Sequence, residues 1–301
     1  MKTRTMERTI PLPRREAAAT ARIAHGLGRA PLHIVLLLIC AVWMVPTIGL
    51  FVSSFRPAAL VSSSGWWEAF KSPFQFTLEN YQQVLSQNNM ADSFINSLFI
   101  SIPSTVIPIL VAAFAAYAFA WMEFPGRNIL FITVVGLLVV PLQMTLRPVL
   151  RMYTVVGLTG TFLGIWLAHT GYGLPFSIYL LRNFFGGLPR EMFESAYLDG
   201  ASSFTAFFRL ALPTSVPALG SLAIFQFMWV WNDLLVALIY LGGKPSVAPM
   251  TLTISNLVNS LGQGWQLLTA AAFISMLLPL LVFFSLQRYF VSGILAGSVK
   301  G

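Results

Sequence analysis

The sequence predicts an all-α, polytopic integral membrane protein with six transmembrane helices and both termini in the cytoplasm. Three observations carry that expectation. Of the 301 residues, 56% are hydrophobic and only 9% charged, whereas about a quarter of the residues in a soluble domain are charged. Six stretches reach the roughly 20 mostly apolar residues that cross a bilayer core as a helix, the form in which every backbone group is satisfied internally. Lys and Arg are also shared unequally among the connections between those stretches.

Taken from the N-terminus, residues 1–31 hold seven basic side chains (Lys2, Arg4, Arg8, Arg14, Arg15, Arg22, Arg29) and then give way to LHIVLLLICAVWMVPTIGLFVSSF. That run is a full bilayer span, longer than the apolar core of a signal peptide, and no small-residue cleavage site follows it cleanly. It reads as an uncleaved first helix. Residues 1–30 are then a basic cytoplasmic tail, expected to be disordered, and 31–301 a six-helix domain. The lone cysteine, Cys40, lies in the first span, so no intrachain disulfide can form, and a buried structural thiol is expected.

The spans are placed at 32–54, 94–120, 129–150, 161–183, 218–241 and 267–290. Prolines 46, 103, 108, 141, 175 and 279 fall inside them and are expected to kink the helices where neighbours shelter the interrupted hydrogen-bond ladder. With the N-terminus inside, only five of the 18 basic residues face outward: Arg56, Lys71, Arg147, Arg151 and Lys244. The other thirteen lie on the cytoplasmic side, which sets the orientation. The net charge of +8 therefore reflects membrane topology, and no nucleic-acid partner is expected. Residues 55–93 become an external lip with interfacial helices, its Trp66 and Trp67 at headgroup depth.

The largest internal loop, 184–217, is a mixed polar and apolar segment, and it has helical punctuation. Pro189 suits a first helical position, and Glu191 and Glu194 follow early in the helix, where the macrodipole favours negative charge. Gly200 stands where a helix stops in a left-handed turn. Ser202 or Ser203 can cap a second helix, FTAFFRLAL, which Pro213 ends or bends. Phe204, Phe207 and Phe208 share one face by spacing. Two readings of this pair of short helices stand: a hook projecting from the membrane, or an amphipathic hairpin lying on its surface.

LPREMFESAYLDGASSFTAFFRLALPTSVPAL, residues 188–219, resembles the cytoplasmic signature loop of ATP-binding-cassette importer permeases, a Glu-Ala-Ala followed by Gly four residues on and then Leu-Pro. Glu194, Ala196, Asp199, Gly200, Ala201, Leu212, Pro213 and Pro217 match, with Ser195 where the first Ala is usual. FMWVWNDLLVALIYL (227–241) and QRYFVSGILAGSVKG (287–301) are similar to the carbohydrate-uptake branch, in particular to its smaller, maltose-transport-type permease. The resemblance implies a transport subunit of a bacterial or archaeal plasma (inner) membrane, paired with a second permease subunit. It also implies a cytoplasmic ATPase dimer that binds ATP and Mg, and an external solute-binding protein. Glu191, Glu194, Ser195, Ala196, Asp199, Gly200, Ala201 and Phe204 would meet the ATPase as a coupling helix, and the tail residues Gly297, Ser298 and Lys300 would reach it from the C-terminus.

No catalytic constellation appears in the chain. A phosphate-cradling G-x-x-x-x-G-K-[ST] loop is absent, since GGKPS at 242–246 has Pro after its Lys and lacks the upstream Gly, so ATP hydrolysis falls to a partner. His25, His33 and His169 are too scattered for a metal site, and G-x-S-x-G does not occur. G-x-x-x-G at Gly160–Gly164 and Gly293–Gly297 is a weak packing signal.

Ionisable groups inside spans are default functional candidates. Gln226, Trp229 and Asp233 follow i, i+3, i+7 spacing with Asn232 beside them, a set that could offer amides, a carboxylate and an aromatic plane to a sugar. The competing reading is that Asp233 pairs with a backbone amide or a basic group on another span and locks packing; His169 faces the same choice. Arg147 and Arg151 read as headgroup or gate-rim residues. A secondary transporter, the main rival in mechanism, would show inverted repeats and coupling-ion residues, which are not seen. An importer permease for another small solute, such as a polyamine or phosphate, stays open as the alternative cargo.

Overall fold

The computed structural model describes residues 15–71, 75–87, 89–258 and 263–298, and all regular structure among them is helical. The chain divides after Val52 into two units. In the first, the described residues form helix α1 (Arg15–Ser54), which begins inside the stretch read as a tail and ends two residues into the second unit. Its apolar side chains, Leu37, Val42 and Trp43 among them, are exposed, and so is Cys40. The expectation of a buried thiol is thus corrected. An apolar run says that water is excluded, not whether protein or lipid excludes it.

In the second unit, α2 (Ala58–Ser63), a 3₁₀ turn (Trp66–Phe70) and α3 (Glu79–Gln87) occupy the stretch expected to form a lip with short helices, and Trp67 is exposed. Arg56 is fully buried at its centre. The guanidinium donates to the Ser64 and Gly65 carbonyls and to Ser64 Oγ, while Asn80 Nδ2 donates to the carbonyls of Ser54 and Arg56. Charge-assisted bonds of this kind tie the turns of the segment together and satisfy the buried guanidinium.

Next come α4 (Met90–Trp121), α5 (Arg127–Gly136), α6 (Leu142–Val156) and α7 (Phe162–Gly186). After α8 to α10, described below, α11 (Val216–Trp231), α12 (Leu235–Leu241), α13 (Met250–Ser255) and α14 (Trp265–Ser298) complete the chain. The α4–α7 pair makes the most extensive contact and α11–α14 the next. On α4, Ala112, Ala113 and Ala116 are buried, and such small side chains let α7 approach closely.

Among the described residues, three helical stretches are each long and apolar enough to cross a membrane: Pro31–Ser54, Met90–Trp121 and Trp265–Arg288. The other three expected spans are altered. α7 has the length, 25 residues, but His169, Thr170, Gly171, Tyr172 and Gly173 dilute its apolarity; His169, Thr170 and Gly173 are covered by neighbouring helices. The span placed at 129–150 is broken between Val139 and Leu142, and α6 leaves α5 at 102°. Pro141 supplies no N–H and holds Val140 extended (φ −72°, ψ 117°), so the ladder cannot cross. The span placed at 218–241 is interrupted between α11 and α12, and α11 is bent by 72° from the helical segment before it. By contrast, α4, α7 and α14 run on through Pro103, Pro108, Pro175 and Pro279. α14 also extends past its expected end at 290 to Ser298, since Ile294, Leu295 and Ala296 are compatible with a helix.

Candidate functional site

Between α7 and α11 the chain builds the hook. α8 (Arg190–Leu198) starts after Pro189, with Glu191 in its first turn. It ends in a Schellman turn: Gly200 is left-handed (φ +82°), its N–H donates to the Tyr197 carbonyl, and the Ala201 N–H donates to the Ala196 carbonyl. Ser202 Oγ then accepts the Thr205 N–H and caps α9 (Ser203–Ala206). One π-helical turn, Phe207–Ala211, leads into α10 (Leu212–Thr214). The Gly stop and Ser cap are both as the sequence indicates; the π turn is not legible there.

Aromatic side chains moor this hook. Trp121, the last residue of α4, stacks on Phe193 of α8 at 3.8 Å and 23°, and its indole N–H donates to the Phe185 carbonyl at 3.0 Å. The hydroxyls of Tyr117 and Tyr197 lie 3.2 Å apart. Phe207 is buried against Phe114 and Tyr117, with centroids at 4.8 and 5.1 Å. This corrects the expectation of one shared Phe face, because Phe204 and Phe208 remain outside, 4.7 Å apart. Phe114 of α4 also meets Phe208 edge-on at 6.0 Å, but of the three rings only Phe207 is buried. The outer surface of the hook therefore carries exposed Glu191, Glu194, Ser195, Asp199, Gly200 and Phe204, with Leu198 88% exposed; Ala196 and Ala201 are half-buried.

A second polar feature lies at the α11–α12 interruption. Asp233 Oδ1 and Oδ2 accept the N–H groups of Val236 and Ala237 at 3.2 and 3.0 Å, which caps α12. Thr251 Oγ1 donates to the Asp233 carbonyl, and Asn232 Nδ2 donates to the Met228 carbonyl. Buried His169 places Nε2 3.7 Å from Asp233 Oδ2 and meets Trp229 edge-on at 5.1 Å. Trp229, Asp233 and His169 are thus brought together. Gln226 is not among them. It is 4% exposed, donates to the Ser104 carbonyl at 3.1 Å and packs on Gly173, where a Cβ would come within 2.6 Å of its Nε2. The helix ends at Trp231, so the i, i+3, i+7 face does not continue to Asp233, and Asn232 alone of the four is exposed. At the C-terminus, Gly297 and Ser298 are the last residues of α14, and Lys300 lies outside the described residues.

The model of one family, described as the binding-protein-dependent transport system inner membrane component, matches residues 88–295. The chain belongs to this family. The matched region takes in both the hook and the α11–α12 interruption, and the permease resemblance read from the loop sequence is borne out. Among relatives, this inner-membrane component is 61% identical over 284 residues to an osmoprotective compounds uptake permease protein of Synechocystis sp., covering 93% of the chain and 95% of the relative. It is 59% identical over 235 residues to an alpha-glucoside transport system permease protein of Rhizobium meliloti, covering 76% of the chain and 62% of that longer relative. In fold it is similar to a chain of a bacterial ABC transporter that imports the acidic polysaccharide alginate, with a TM-score of 0.70 over 93% of this chain and all of the other, at 19% identity.

Proposed function

We propose that this inner-membrane component is one of two permease subunits of an ATP-driven sugar importer, that it crosses the plasma membrane of a bacterium or archaeon six times, and that both termini are cytoplasmic. An external binding protein delivers the solute. A cytoplasmic ATP-binding-cassette dimer binds ATP and Mg and hydrolyses the nucleotide, and the hook transmits its closure to the spans. Residues 294–301 extend the contact with the ATPase.

The hook carries this reading. Its exposed rim combines three carboxylates, Glu191, Glu194 and Asp199, with apolar Leu198 and Phe204, an association surface outside the spans. Its base is fixed to α4 and α7 by the Trp121 stack and hydrogen bond. A rigid projection so anchored moves with the helices that hold it. The solute path is assigned to the side of the α11–α12 interruption where Asn232 is exposed, with half-buried Trp229 and Asp233 behind it.

Di- or oligosaccharides of the α-glucoside type are the proposed cargo, from the name of the 59% identical relative. The name of the 61% identical one favours a second reading, small osmoprotective solutes. Purifying the chain with whatever assembles on it, then measuring ATPase stimulation through the binding protein, separates them. Stimulation by disaccharides supports the first, by small osmoprotective compounds alone the second. Stimulation by polyamine or phosphate alone refutes both.

A further inference from the structure

α6 has three distinct sides. Leu146, Leu150 and Tyr153 pack into a core with Ile165, Ala168 and Tyr240. Gln143, Arg147, Arg151 and Thr154 form an exposed polar row at successive i, i+4 and i+3 steps. Beside it, Met144, Met152 and Val155 form an exposed apolar row, 72%, 55% and 87% accessible. Among the described residues, Arg147 and Arg151 make no ion pair or hydrogen bond.

A helix with one side on protein, one in hydrocarbon and one in the charged layer is at rest where those three media meet, the edge of a bilayer. The break supports this. α5 and the 3₁₀ turn after it (Leu137–Val139) span 13 residues, about 20 Å, and extended Val140 and Pro141 add about 6 Å, so the chain has nearly crossed a hydrocarbon core of about 30 Å where α6 begins. α6 then turns away by 102°, which lays it across the membrane normal if α5 stands along it. Two unpaired guanidiniums inside the core would be costly, whereas in the headgroup layer each can take a phosphate by parallel N–H bonds.

We propose that α6 lies in the membrane interface, with Met144, Met152 and Val155 among acyl chains and Arg147 and Arg151 holding the phosphates of anionic phospholipids. The cargo and the coupling hook play no part in this assignment, so its failure leaves the import reading intact, and the converse also holds.

The test uses the purified complex in nanodiscs of phosphatidylglycerol and phosphatidylcholine, in a Cys40→Ser background. Spin labels on Met144→Cys and Met152→Cys should collide with oxygen dissolved in lipid, and a label on Gln143→Cys with a water-soluble nickel reagent. In a second arm, spin-labelled phosphatidylglycerol should be preferred over phosphatidylcholine, and Arg147→Gln and Arg151→Gln should each weaken that preference about fivefold. Labels at 144 and 152 shielded from both reagents would make this face a contact with the second permease subunit. Either that result or a lipid preference unchanged in the double variant overturns the proposal.

Discussion

The ring centroids of Trp121 and Phe193 lie 3.8 Å apart with the rings nearly parallel, and this contact joins the end of α4 to the first helix of the hook. Because Trp121 also donates to the Phe185 carbonyl, one side chain fixes α8 against both α4 and α7. Trp121→Ala should cost about 3 kcal/mol of local stability, and Trp121→Phe, which keeps a stacking ring but no donor, about 1 kcal/mol. Limited proteolysis of inside-out vesicles should show cleavage within 187–215 rising in that order. Equal resistance of both variants and wild type would remove the mooring role.

Gly173 has no room for a side chain. A Cβ there would stand 2.6 Å from Gln226 Nε2, so Gly173→Ala should displace the amide from the Ser104 carbonyl and destabilise the purified complex by about 1–3 kcal/mol. Gln226→Ala vacates the space. The double variant should therefore be more stable than the sum of the single losses implies, and strict additivity in thermal unfolding would show that the two residues do not meet.

Asn232 and Asp233 are adjacent but should behave differently. Asp233→Ala removes the acceptor for two N–H groups of α12 and should cost about 1–2 kcal/mol, visible as a lower unfolding temperature. Asn232→Ala gives up one bond at an exposed position. On the proposed path it should raise the apparent KM for sugar uptake several-fold while the unfolding temperature stays put. Normal uptake kinetics in Asn232→Ala would move the path elsewhere.

What could be read ahead of the structure was chemistry that acts within a few residues. The turn at Gly200 and the cap at Ser202 are each set by backbone geometry in their own neighbourhood, and both appear in the fold, whereas of the six prolines expected to kink the spans only Pro141 stands at a break and the other five lie inside continuous helices. Residues whose surroundings come from distant helices were not legible. Phe204 and Phe207 look alike in sequence, yet only Phe207 meets Phe114 and Tyr117. Gln226 and Asn232 are both amides in an apolar run, and one is sealed against α4 while the other is exposed. Cys40 shows the same ambiguity for a membrane chain, since hydrophobicity marks exclusion from water without naming what covers the residue.

ATP hydrolysis is proposed to meet transport at the hook within 184–217, and two substitutions test this directly. Gly200→Val adds a β-branched side chain at φ +82°, where its Cβ would touch nothing, so the cost is conformational alone, roughly 1 kcal/mol or more, and the hook is misaimed with its spans intact. Glu194→Lys reverses an exposed charge on α8 without disturbing the mooring. The deciding measurement is pull-down of the ATPase together with sugar uptake in the same membranes. Both variants should insert and pair with the second permease, yet lose the ATPase or hydrolyse ATP without moving sugar. Wild-type ATPase binding and wild-type uptake in both would contradict a coupling role for the hook.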